Sequence, residues 1–419
     1  MRILVNKSDI KGIVRAPSSK SYTIRGLMCA AMARGRSEIH RLLESDDTLA
    51  AARALSQIGV QIKRNEDFWW VSGDHFQAPV NDLFCGDSAA TLRFLSAICA
   101  LVPGRCRLTA GMSLSKRPIR TLIDALRMWG VDIACVGETA IIVQKGGKFR
   151  GGYTELPGDI SSQYVSALLL VAALAENNTR IQLTTSLESR PYVLMTLECL
   201  RQFGINIQHA EELIEYEATP QQFKPAEYHV EGDWSSASYL LGWGAVAGEM
   251  KINNLSMQSL QGDRLIVDFL RDMGAFIETR GESVSIKKNC LKSIKVDMND
   301  CIDLLPTMAA LAALAQGTSE FTGIERARLK ESNRISSLRQ GLERAGIEVI
   351  EDMDKLSIIG GKPREAVIDA QNDHRIAMAF SLIGIAAGRV TIEGAECVSK
   401  TYPEYWHTLR SLGVKIDEQ

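Results

Sequence analysis

The chain has 419 residues and a formal net charge of -2 at pH 7, and its composition is 46% hydrophobic and 23% charged. That profile is typical of a soluble globular protein, and the length favours two or three domains. The small net charge excludes a global basic field for nucleic acid or an anionic membrane, so any anion-binding site must be built locally.

Membrane and targeting segments are not expected. No apolar run reaches the roughly 18 residues of a membrane span, and the N-terminus lacks the apolar core of a signal peptide. The nine cysteines are scattered, odd in number and without a CxxC pair. They favour reduced, buried thiols over a disulfide framework or a zinc site. We therefore expect a cytoplasmic protein that binds neither membrane nor nucleic acid.

A repeat of about 70 residues runs through the whole chain. Six short polar clusters each lead into a small, apolar stretch, at residues 16–21, 86–88, 158–162, 232–236, 299–303 and 372–375. Six amphipathic stretches each stop at a glycine and resume as a strand-like run, at Gly59, Gly130, Gly204, Gly274, Gly346 and Gly413. A fixed period of this length indicates one supersecondary unit used repeatedly.

Each repeat is predicted to have the order βαβαββ. The first helix lacks a polar face, as at 167–176 and 308–316, and should be buried on all sides. The second helix is amphipathic, as at 121–128, and ends at a glycine cap before strands such as 131–133 and 414–416.

Six such units favour an α/β (α+β) fold of two similar domains. The boundary falls near residues 230–232, after a polar segment that contains proline. We expect residues 16–230 to form one domain, and residues 231–419 to form the other together with the N-terminal strand, residues 1–15. The pattern alone does not establish that crossing of the first strand.

Cations recur where the first helices should begin. Lys20, Ser21 and Arg25 can share one helix face, because residues four apart are neighbours. Helix N-termini attract anions, and Lys or Arg beside a hydroxyl suits a phosphate or a carboxylate. The alternative is an ordinary helix cap with solvated charges, and it applies equally to the cluster Ser161-Ser162-Gln163.

Residues 328–334 place three cations and one carboxylate at the start of an amphipathic helix. Residues 372–375 put Asp, His and Arg before a nearly uncharged run. Asp303 lies among apolar residues at a helix start, so it is either a helix cap or a general base.

The cations occupy matching places in the repeat. They are Lys20, Arg25, Arg117, Lys330, Arg334, Arg375 and Lys400. If the helix starts converge on one cleft, that cleft could hold two phosphorylated ligands, and domain closure could exclude water around them.

Taken together, the motifs resemble those of the 5-enolpyruvylshikimate-3-phosphate (EPSP) synthase family, in order and over almost the whole length. The motifs are residues 19–21 with Arg25, 45–47, 86–93, 117–119, 161–163, 231–233, Asp303, 329–332, 372–375 and 400–403. The resemblance implies two domains, each with three βαβαββ units around buried parallel helices in an inside-out barrel. It also implies an active site in the cleft between the domains.

The resemblance also implies the reaction, in which the enolpyruvyl group of phosphoenolpyruvate moves to the 5-hydroxyl of shikimate-3-phosphate and phosphate is released. This reaction belongs to the shikimate pathway of chorismate and aromatic amino acid biosynthesis. The residues implied for shikimate-3-phosphate are Lys20, Ser21, Arg25, Ser161, Ser162, Gln163, Ser189, Asp303 and Lys330. Those implied for phosphoenolpyruvate are Lys20, Ala89, Arg117, Gln163, Arg334, Arg375 and Lys400.

The catalytic residues implied are Asp303, Glu331 and Lys20. Asp303 would take the 5-hydroxyl proton, and Glu331 would handle the proton on the methylene carbon of phosphoenolpyruvate. The cations would stabilise developing negative charge. No metal ion and no organic cofactor is expected, and we expect a monomer.

The chain departs from the family pattern at four places. Ala89 stands where the family often has glycine, and its methyl group predicts weaker binding of the herbicide glyphosate. Arg326 replaces a common Asn and is left out of the candidate site. Asn333 replaces Asp and Arg190 replaces Lys, and neither change removes a catalytic role.

Two other functions compete with this one. The sister enzyme that transfers enolpyruvyl to UDP-N-acetylglucosamine typically has Lys-Asn at the first motif, where this chain has Lys20-Ser21, and a Cys where this chain has Met112. A DNA sliding clamp also has six repeats, but it needs basic helices along an inner wall. Cations at helix starts, beside Ser, Asp and His, favour a small-molecule site instead.

Overall fold

One sheet topology recurs in all six repeats of the computed structural model, which describes residues 1–73, 75–136 and 140–418. Contacts divide the chain into two units. The first unit is Ser18–Val230, and the second unit is Met1–Pro17 with Glu231–Gln419.

The elements of the chain alternate as the repeat predicts. The chain opens with β1 (Arg2–Val5) and β2 (Ile10–Arg15). The elements of the first unit are α1 (Lys20–Met32), β3 (Gly35–His40), α2 (Asp46–Gln57), β4 (Gln61–Arg64), β5 (Phe68–Gly73), β6 (Leu83–Phe84), α3 (Ala89–Ile98), β7 (Gly104–Thr109), α4 (Met112–Ser115), α5 (Arg120–Met128), β8 (Ile133–Val136), β9 (Ala140–Gly146), β10 (Gly152–Leu156), α6 (Ser162–Ala172), β11 (Thr179–Leu183), α7 (Arg190–Gln202), β12 (Gln208–His209), β13 (Glu215–Ala218) and β14 (Glu227–His229).

The second unit continues in the same way. Its further elements are α8 (Trp234–Ala247), β15 (Gly248–Asn253), α9 (Ile266–Asp272), β16 (Phe276–Arg280), β17 (Ser283–Lys287), β18 (Lys295–Asp297), α10 (Leu305–Leu314), β19 (Thr318–Thr322), α11 (Arg334–Arg344), β20 (Glu348–Glu351), β21 (Lys355–Ile359), β22 (Ala366–Asp369), α12 (His374–Ala387), β23 (Val390–Glu393), α13 (Tyr405–Ser411) and β24 (Ile416–Glu418). Short 3-10 helices include Gly262–Leu265 and Ile302–Leu304.

Every sheet has one parallel and two antiparallel pairings. The orders are β14-β3-β5-β4, β6-β7-β9-β8 and β10-β11-β13-β12 in the first unit, and β16-β17-β15-β2, β18-β19-β21-β20 and β22-β23-β1-β24 in the second. The parallel pair normally flanks a buried helix, as β6 and β7 flank α3. This confirms the βαβαββ repeat and the predicted fold class.

The first and fourth repeats exchange their opening strands. Strand β2 directly precedes α1, yet it pairs in parallel with β15. Strand β14 directly precedes α8, yet it pairs in parallel with β3. Strand β1 completes the last sheet beside β23 and β24. Both N-terminal strands therefore belong to the second unit.

The core of each unit is built on three helices, α1, α3 and α6 in the first unit and α8, α10 and α12 in the second. All residues of α8 are buried, and α6 and α10 are buried almost throughout. The prediction of helices without an exposed face is confirmed. The predicted bounds 167–176 and 308–316 were too late, because α6 begins at the cap Ser161 and α10 continues directly from a 3-10 helix.

The six glycine stops are confirmed as left-handed residues after α2, α5, α7, α9, α11 and α13, with φ between 80° and 97°. Glycine adopts this conformation without a side-chain penalty. The strands begin two residues later than predicted at β8 and β24. The reason is that the Val131 and Val414 amides still donate to helix carbonyls, those of Leu126 and Leu409.

Seven of the nine cysteines are buried, and all nine are free thiols. No helix in the described part of the chain is long and apolar enough to cross a membrane.

Candidate active site

Five of the six polar clusters cap the buried helix that follows them. The exception is the cluster before α10, where Asp303 makes no side-chain cap. The side chains of Ser19, Ser88, Ser161, Asp233 and Asp373 accept hydrogen bonds from the first turns of α1, α3, α6, α8 and α12. The capping alternative is therefore correct for these residues. The cations that follow these residues do not themselves cap the helices.

In the first unit, Lys20 begins α1 next to the cap. Its Nζ lies 2.9 Å from Asp47 Oδ2, and both side chains are largely covered. Asp47 lies in the first turn of α2, where the helix dipole also stabilises a carboxylate. The 45–47 motif thus supplies the partner that positions the Lys20 ammonium.

Arg25 lies one helical turn further and is 2% exposed. It donates from Nε to Thr196 Oγ1 (2.8 Å), from Nη1 to the Ser21 carbonyl (3.1 Å) and from Nη2 to the Tyr192 carbonyl (3.0 Å). Burial lowers the pKa of the guanidinium. Its described hydrogen-bond partners are all neutral oxygen atoms, so its charge is available to an anionic ligand.

Arg93 orients the start of α6. Its Nη1 donates to Ser161 Oγ at 3.1 Å and to Gln163 Oε1 at 2.7 Å. Its Nη2 donates to the Pro118 carbonyl at 3.4 Å, next to Arg117. Arg93 was part of the 86–93 motif but was not chosen as a site residue, because sequence alone does not show that it reaches α6.

The remaining candidates of the first unit occupy element ends. Ala89 is the first residue of α3 and is 9% exposed. Arg117 lies between α4 and α5, and buried Ser162 begins α6. Ser189 is buried in a left-handed conformation, with φ 53°, just before α7. A left-handed non-glycine residue is uncommon, and such strain clusters at functional sites.

In the second unit, three cations surround Asp303, which lies in the 3-10 helix before α10. Arg334 Nη1 lies 2.7 Å from its Oδ1, Lys330 Nζ lies 3.5 Å from the same oxygen, and Arg375 Nη2 lies 3.5 Å from Oδ2. Burial disfavours the ionised form of Asp303. The three cations outweigh burial and hold the pKa of its carboxyl well below the usual range.

Arg334 is the centre of this cluster and its side chain is 1% exposed. Besides Asp303, it donates to Glu331 Oε2 at 2.5 Å and, from Nε, to Asp373 Oδ2 at 2.8 Å. Burial opposes its charge, but the three carboxylates together raise the pKa of Arg334. We call Asp303, Glu331, Lys330, Arg334, Asp373 and Arg375 the Arg334 network.

Asp373 is the residue that sequence reasoning missed. It is fully buried, caps α12 through the Arg375 amide and fixes Arg334 at the same time. Its place in the 372–375 motif was the available signal. Its contact with Arg334 spans 39 positions and could not be derived from spacing.

Lys400 is buried and donates to the Asn372 carbonyl at 2.9 Å. Gln371 and Asn372 are two consecutive left-handed residues, with φ of 51° and 55°. This strained turn presents the carbonyl to Lys400 directly before Asp373. Of the departures noted above, Asn333 caps α11, and Arg326 donates to Asn299 at 2.9 Å.

The predicted residues therefore form two sets, one in each unit. The first has Lys20 and Arg25 in the first two turns of α1, with partners on α2 and α7. The second is the Arg334 network with Lys400. A buried carboxylate surrounded by cations can accept a proton, and the cations can stabilise anionic substrates and leaving groups. Two solved structures of similar fold match the whole of this chain.

The EPSP synthase of Acinetobacter baumannii superposes with a TM-score of 0.84 at 26% identity, over 100% of both chains. An enolpyruvyl transferase from Streptomyces tendae gives 0.83 at 18% identity, over 100% of this chain and 98% of the other, and at that identity it supports the fold alone.

Sequence comparisons define the family. The model of EPSP synthase (3-phosphoshikimate 1-carboxyvinyltransferase) matches residues 5–409. The 3-phosphoshikimate 1-carboxyvinyltransferase of Dehalococcoides mccartyi is 47% identical over 418 residues, 99% of each chain. That of Methanothermobacter thermautotrophicus is 38% identical over 424 residues, 100% of both. This chain belongs to the EPSP synthase family, which confirms the resemblance and the enzyme class and contradicts the sliding-clamp alternative.

Proposed function

We propose that this protein transfers the enolpyruvyl group of phosphoenolpyruvate to the 5-hydroxyl of shikimate-3-phosphate. The products are 5-enolpyruvylshikimate-3-phosphate and phosphate, which places the protein in the shikimate pathway. The observation that carries the proposal is the Asp303 carboxylate within 3.5 Å of Lys330, Arg334 and Arg375. The names of the relatives favour this acceptor over UDP-N-acetylglucosamine.

The first unit binds mainly shikimate-3-phosphate. Its phosphate accepts hydrogen bonds from the hydroxyls at the start of α6 and from Ser189, where the helix N-termini add positive potential. Lys20 and Arg25 supply the positive charge. Because Arg25 is held by neutral oxygens, its charge is not cancelled by a protein carboxylate.

The cations at Arg334, Arg375 and Lys400 bind phosphoenolpyruvate, together with Lys20, Arg117, Gln163 and the α3 start at Ala89. The two sets act on the same pair of substrates. Lys330 assists Asp303 in holding the shikimate hydroxyls. These assignments follow the family's motifs residue by residue.

Asp303 is the general base for the 5-hydroxyl. In the free protein its three cations stabilise the carboxylate and so reduce its basicity. When the carboxylate and phosphate of phosphoenolpyruvate bind Arg334 and Arg375, the added negative charge raises the pKa of Asp303. Substrate binding therefore converts a stabilised ion into a competent base.

The chemical balance needs one acid and one base at the methylene carbon. The 5-oxygen bonds to C2 of phosphoenolpyruvate as C3 gains a proton, and the 5-hydroxyl proton passes to Asp303. The C2–O bond to phosphate then breaks as C3 returns its proton. Phosphate leaves with the proton that Asp303 took from the hydroxyl, so both carboxylates return to their starting forms. Glu331, held by Arg334, exchanges the C3 proton, and Lys20 assists the departing phosphate.

This balance requires no metal ion and no organic cofactor. We also propose that the protein acts as a cytoplasmic monomer on small molecules, without nucleic acid or membrane partners.

The direct test mixes the protein with shikimate-3-phosphate and phosphoenolpyruvate and measures phosphate release. Release must depend on both substrates and must be lost in Asp303→Ala. UDP-N-acetylglucosamine in place of shikimate-3-phosphate must give none. Release only with the UDP-sugar, or none with either acceptor, would refute the assignment.

A further inference from the structure

A second group of chemically active side chains lies on the first sheet of the first unit, outside the sets described above. Strands β3 and β14 each end in the sequence Glu-x-His, at Glu38-Ile39-His40 and Glu227-Tyr228-His229. The middle residues Ile39 and Tyr228 are buried, at 0% and 1% exposure. Since side chains alternate along a strand, both Glu and both His residues lie on the opposite, outer face.

The parallel register makes these residues direct neighbours. Glu38 pairs with Glu227, and His40 pairs with His229. The imidazole rings stack with centroids 4.5 Å apart. His229 Nε2 lies 3.0 Å from Glu227 Oε1, and His40 Nε2 lies 3.7 Å from the same oxygen. The ligand atoms of His40, Glu227 and His229 all lie within 4.8 Å of one another.

Two features of this group favour a cation. The first is His40 Nε2, which is closed to solvent and has no hydrogen-bond partner among the described residues. A buried polar nitrogen without a partner is costly. The second is the pairing of Glu38 with Glu227, because like charges directly opposite across two strands destabilise a sheet.

The carboxylate of Glu38 is also oriented by a hydrogen bond from Trp70. Its Oε1 accepts a hydrogen bond from Trp70 Nε1 at 3.3 Å, and its Oε2 lies 3.6 Å from His40 Nε2. Hydrogen bonds of this kind orient the carboxylates that surround protein metal ions.

We propose that His40, His229 and Glu227 bind a divalent first-row transition ion of the Zn²⁺ class, with Glu38 or water as the fourth ligand. Two imidazoles and a carboxylate are ligands that such ions accept. The separations of 3.0 Å and 3.7 Å from Glu227 Oε1 to the two imidazole nitrogens are close to the spacing of two ligands that each lie ~2.0–2.2 Å from one zinc ion. The cluster departs from the expectation of no metal ion, which the resemblance to the family implied.

The bound ion stabilises the edge strand β14 of the first sheet. Strand β14 has only three residues, lies at the sheet edge and is the last element before the chain enters the second unit at Glu231. Beyond it, the Val230 amide donates to the His40 carbonyl at 3.1 Å. An ion shared by the two strands holds β14 against β3 at this point.

The test is Zn²⁺ titration of the chelator-treated full chain by calorimetry. An exposed thiol is a potential zinc ligand and Cys290 is exposed, so all proteins carry Cys290→Ser. One Zn²⁺ should bind per chain, and His229→Ala should weaken it at least about 100-fold, since even outer-shell changes lower metal affinity about 10–100-fold. Glu227→Gln should also weaken it, and His209→Ala, an exposed histidine of β12 in the same unit, should not.

A second measurement tests the structural role and does not depend on binding heat. Amide hydrogen exchange at Val230 should slow when Zn²⁺ is added to the parent protein, and should not change in His229→Ala. The proposal is overturned if the parent binds no Zn²⁺, if His229→Ala binds like His209→Ala, or if Zn²⁺ leaves exchange at Val230 unchanged. In those cases the cluster is an ordinary pair of His–Glu contacts.

Discussion

The two units use buried arginines differently. In the first unit, Arg25 donates to a hydroxyl and two backbone carbonyls, and no carboxylate is among its described hydrogen-bond or ion-pair partners. In the second unit, Arg334 donates to Asp303, Glu331 and Asp373. Both side chains are at most 2% exposed, so the difference lies in the partners and not in the burial.

Because of this difference, Arg25 and Arg334 are suited to two different roles. Neutral partners position Arg25 without cancelling its charge, which leaves that charge available to an anionic ligand. Carboxylate partners cancel much of the charge of Arg334 and place it where it sets the protonation of Asp303. The first arrangement suits ground-state binding, and the second suits proton transfer and charge stabilisation during reaction.

Removing Asp303, the proposed general base, should give the largest effect. Asp303→Ala should lower turnover by about 10²–10⁴-fold, the usual contribution of a general base. Phosphate release under saturating substrates measures this directly. Asp268→Ala, an exposed carboxylate of the same unit, is the matched control and should retain turnover. Near-normal turnover of Asp303→Ala would show that the second unit holds no essential base.

Removing Arg334 should mainly cost stability. Arg334→Ala removes the cation that pairs with fully buried Asp373, and breaking a buried ion pair in this way costs about 3–5 kcal/mol. Urea unfolding of the whole chain measures the loss. Arg339→Ala is the control, because its partners Glu343 and Glu351 are partly exposed and the loss should be small. Equal losses in both variants would mean that the buried carboxylates tolerate the missing charge.

The sequence predicted the parts of this molecule that depend on local pattern. The helix caps Ser19 and Ser161 and the glycine ends of the second helices follow from residues within a few positions of each other. This local pattern is recognisable because it recurs from repeat to repeat along the chain. The roles of the candidate site residues remain predictions, whereas the helix starts that carry them are confirmed.

Contacts between distant residues were not predictable. Arg25 meets Thr196 across 171 positions, and Arg334 meets Asp373 across 39. The exchange of β2 and β14 between repeats brings His40 beside His229, and no periodic pattern reveals such an exchange. The spacing of residues in the sequence shows which of them share a helix face, but it does not show which helix N-termini lie close together in the fold.

Asp263 gives a pH-dependent test of the second unit. It is buried, accepts a hydrogen bond from Ser235 Oγ and lies near Asp303. Burial, reinforced by the negative charge of Asp303, raises the pKa of Asp263 to about 7, from 3.8. A carboxyl with a raised pKa in the folded state contributes stability that is full below about pH 4 and is lost as the pH rises to about 7.

Between pH 5 and pH 8 this group should therefore remove about 2–3 kcal/mol from the free energy of unfolding. Asp263→Asn should abolish that part of the pH dependence and should be the more stable protein at pH 8. Urea unfolding at both pH values provides the measurement. If the free energy of unfolding depended on pH in the same way in both proteins, the raised pKa of Asp263 would be contradicted. The crowding of carboxylates beside the Arg334 network would be contradicted with it.

Arg25 tests the complementary claim about the first unit. Arg25→Gln keeps a polar group near Thr196 but removes the charge, and charged hydrogen bonds contribute about 1.5–3 kcal/mol. The KM for shikimate-3-phosphate should rise at least about tenfold. The KM for phosphoenolpyruvate and the turnover should change much less. Arg180→Gln, an exposed arginine paired with Glu215, is the control. A fall in turnover with an unchanged KM would place Arg25 with the transition-state groups of the second unit.

The smallest expected effect concerns ligand size in the first unit. The Ala89 methyl at the start of α3 is largely covered, and one such group changes ligand discrimination by about tenfold or more. Ala89→Gly should strengthen glyphosate inhibition by about that factor while the KM for phosphoenolpyruvate hardly changes. Ala90→Gly, the next residue of α3, controls for the effect of glycine on the helix. Tight glyphosate inhibition of the unmodified protein, competitive with phosphoenolpyruvate, would show that the methyl group leaves room for the herbicide. Discrimination between glyphosate and phosphoenolpyruvate would then depend on the charges of the two units alone.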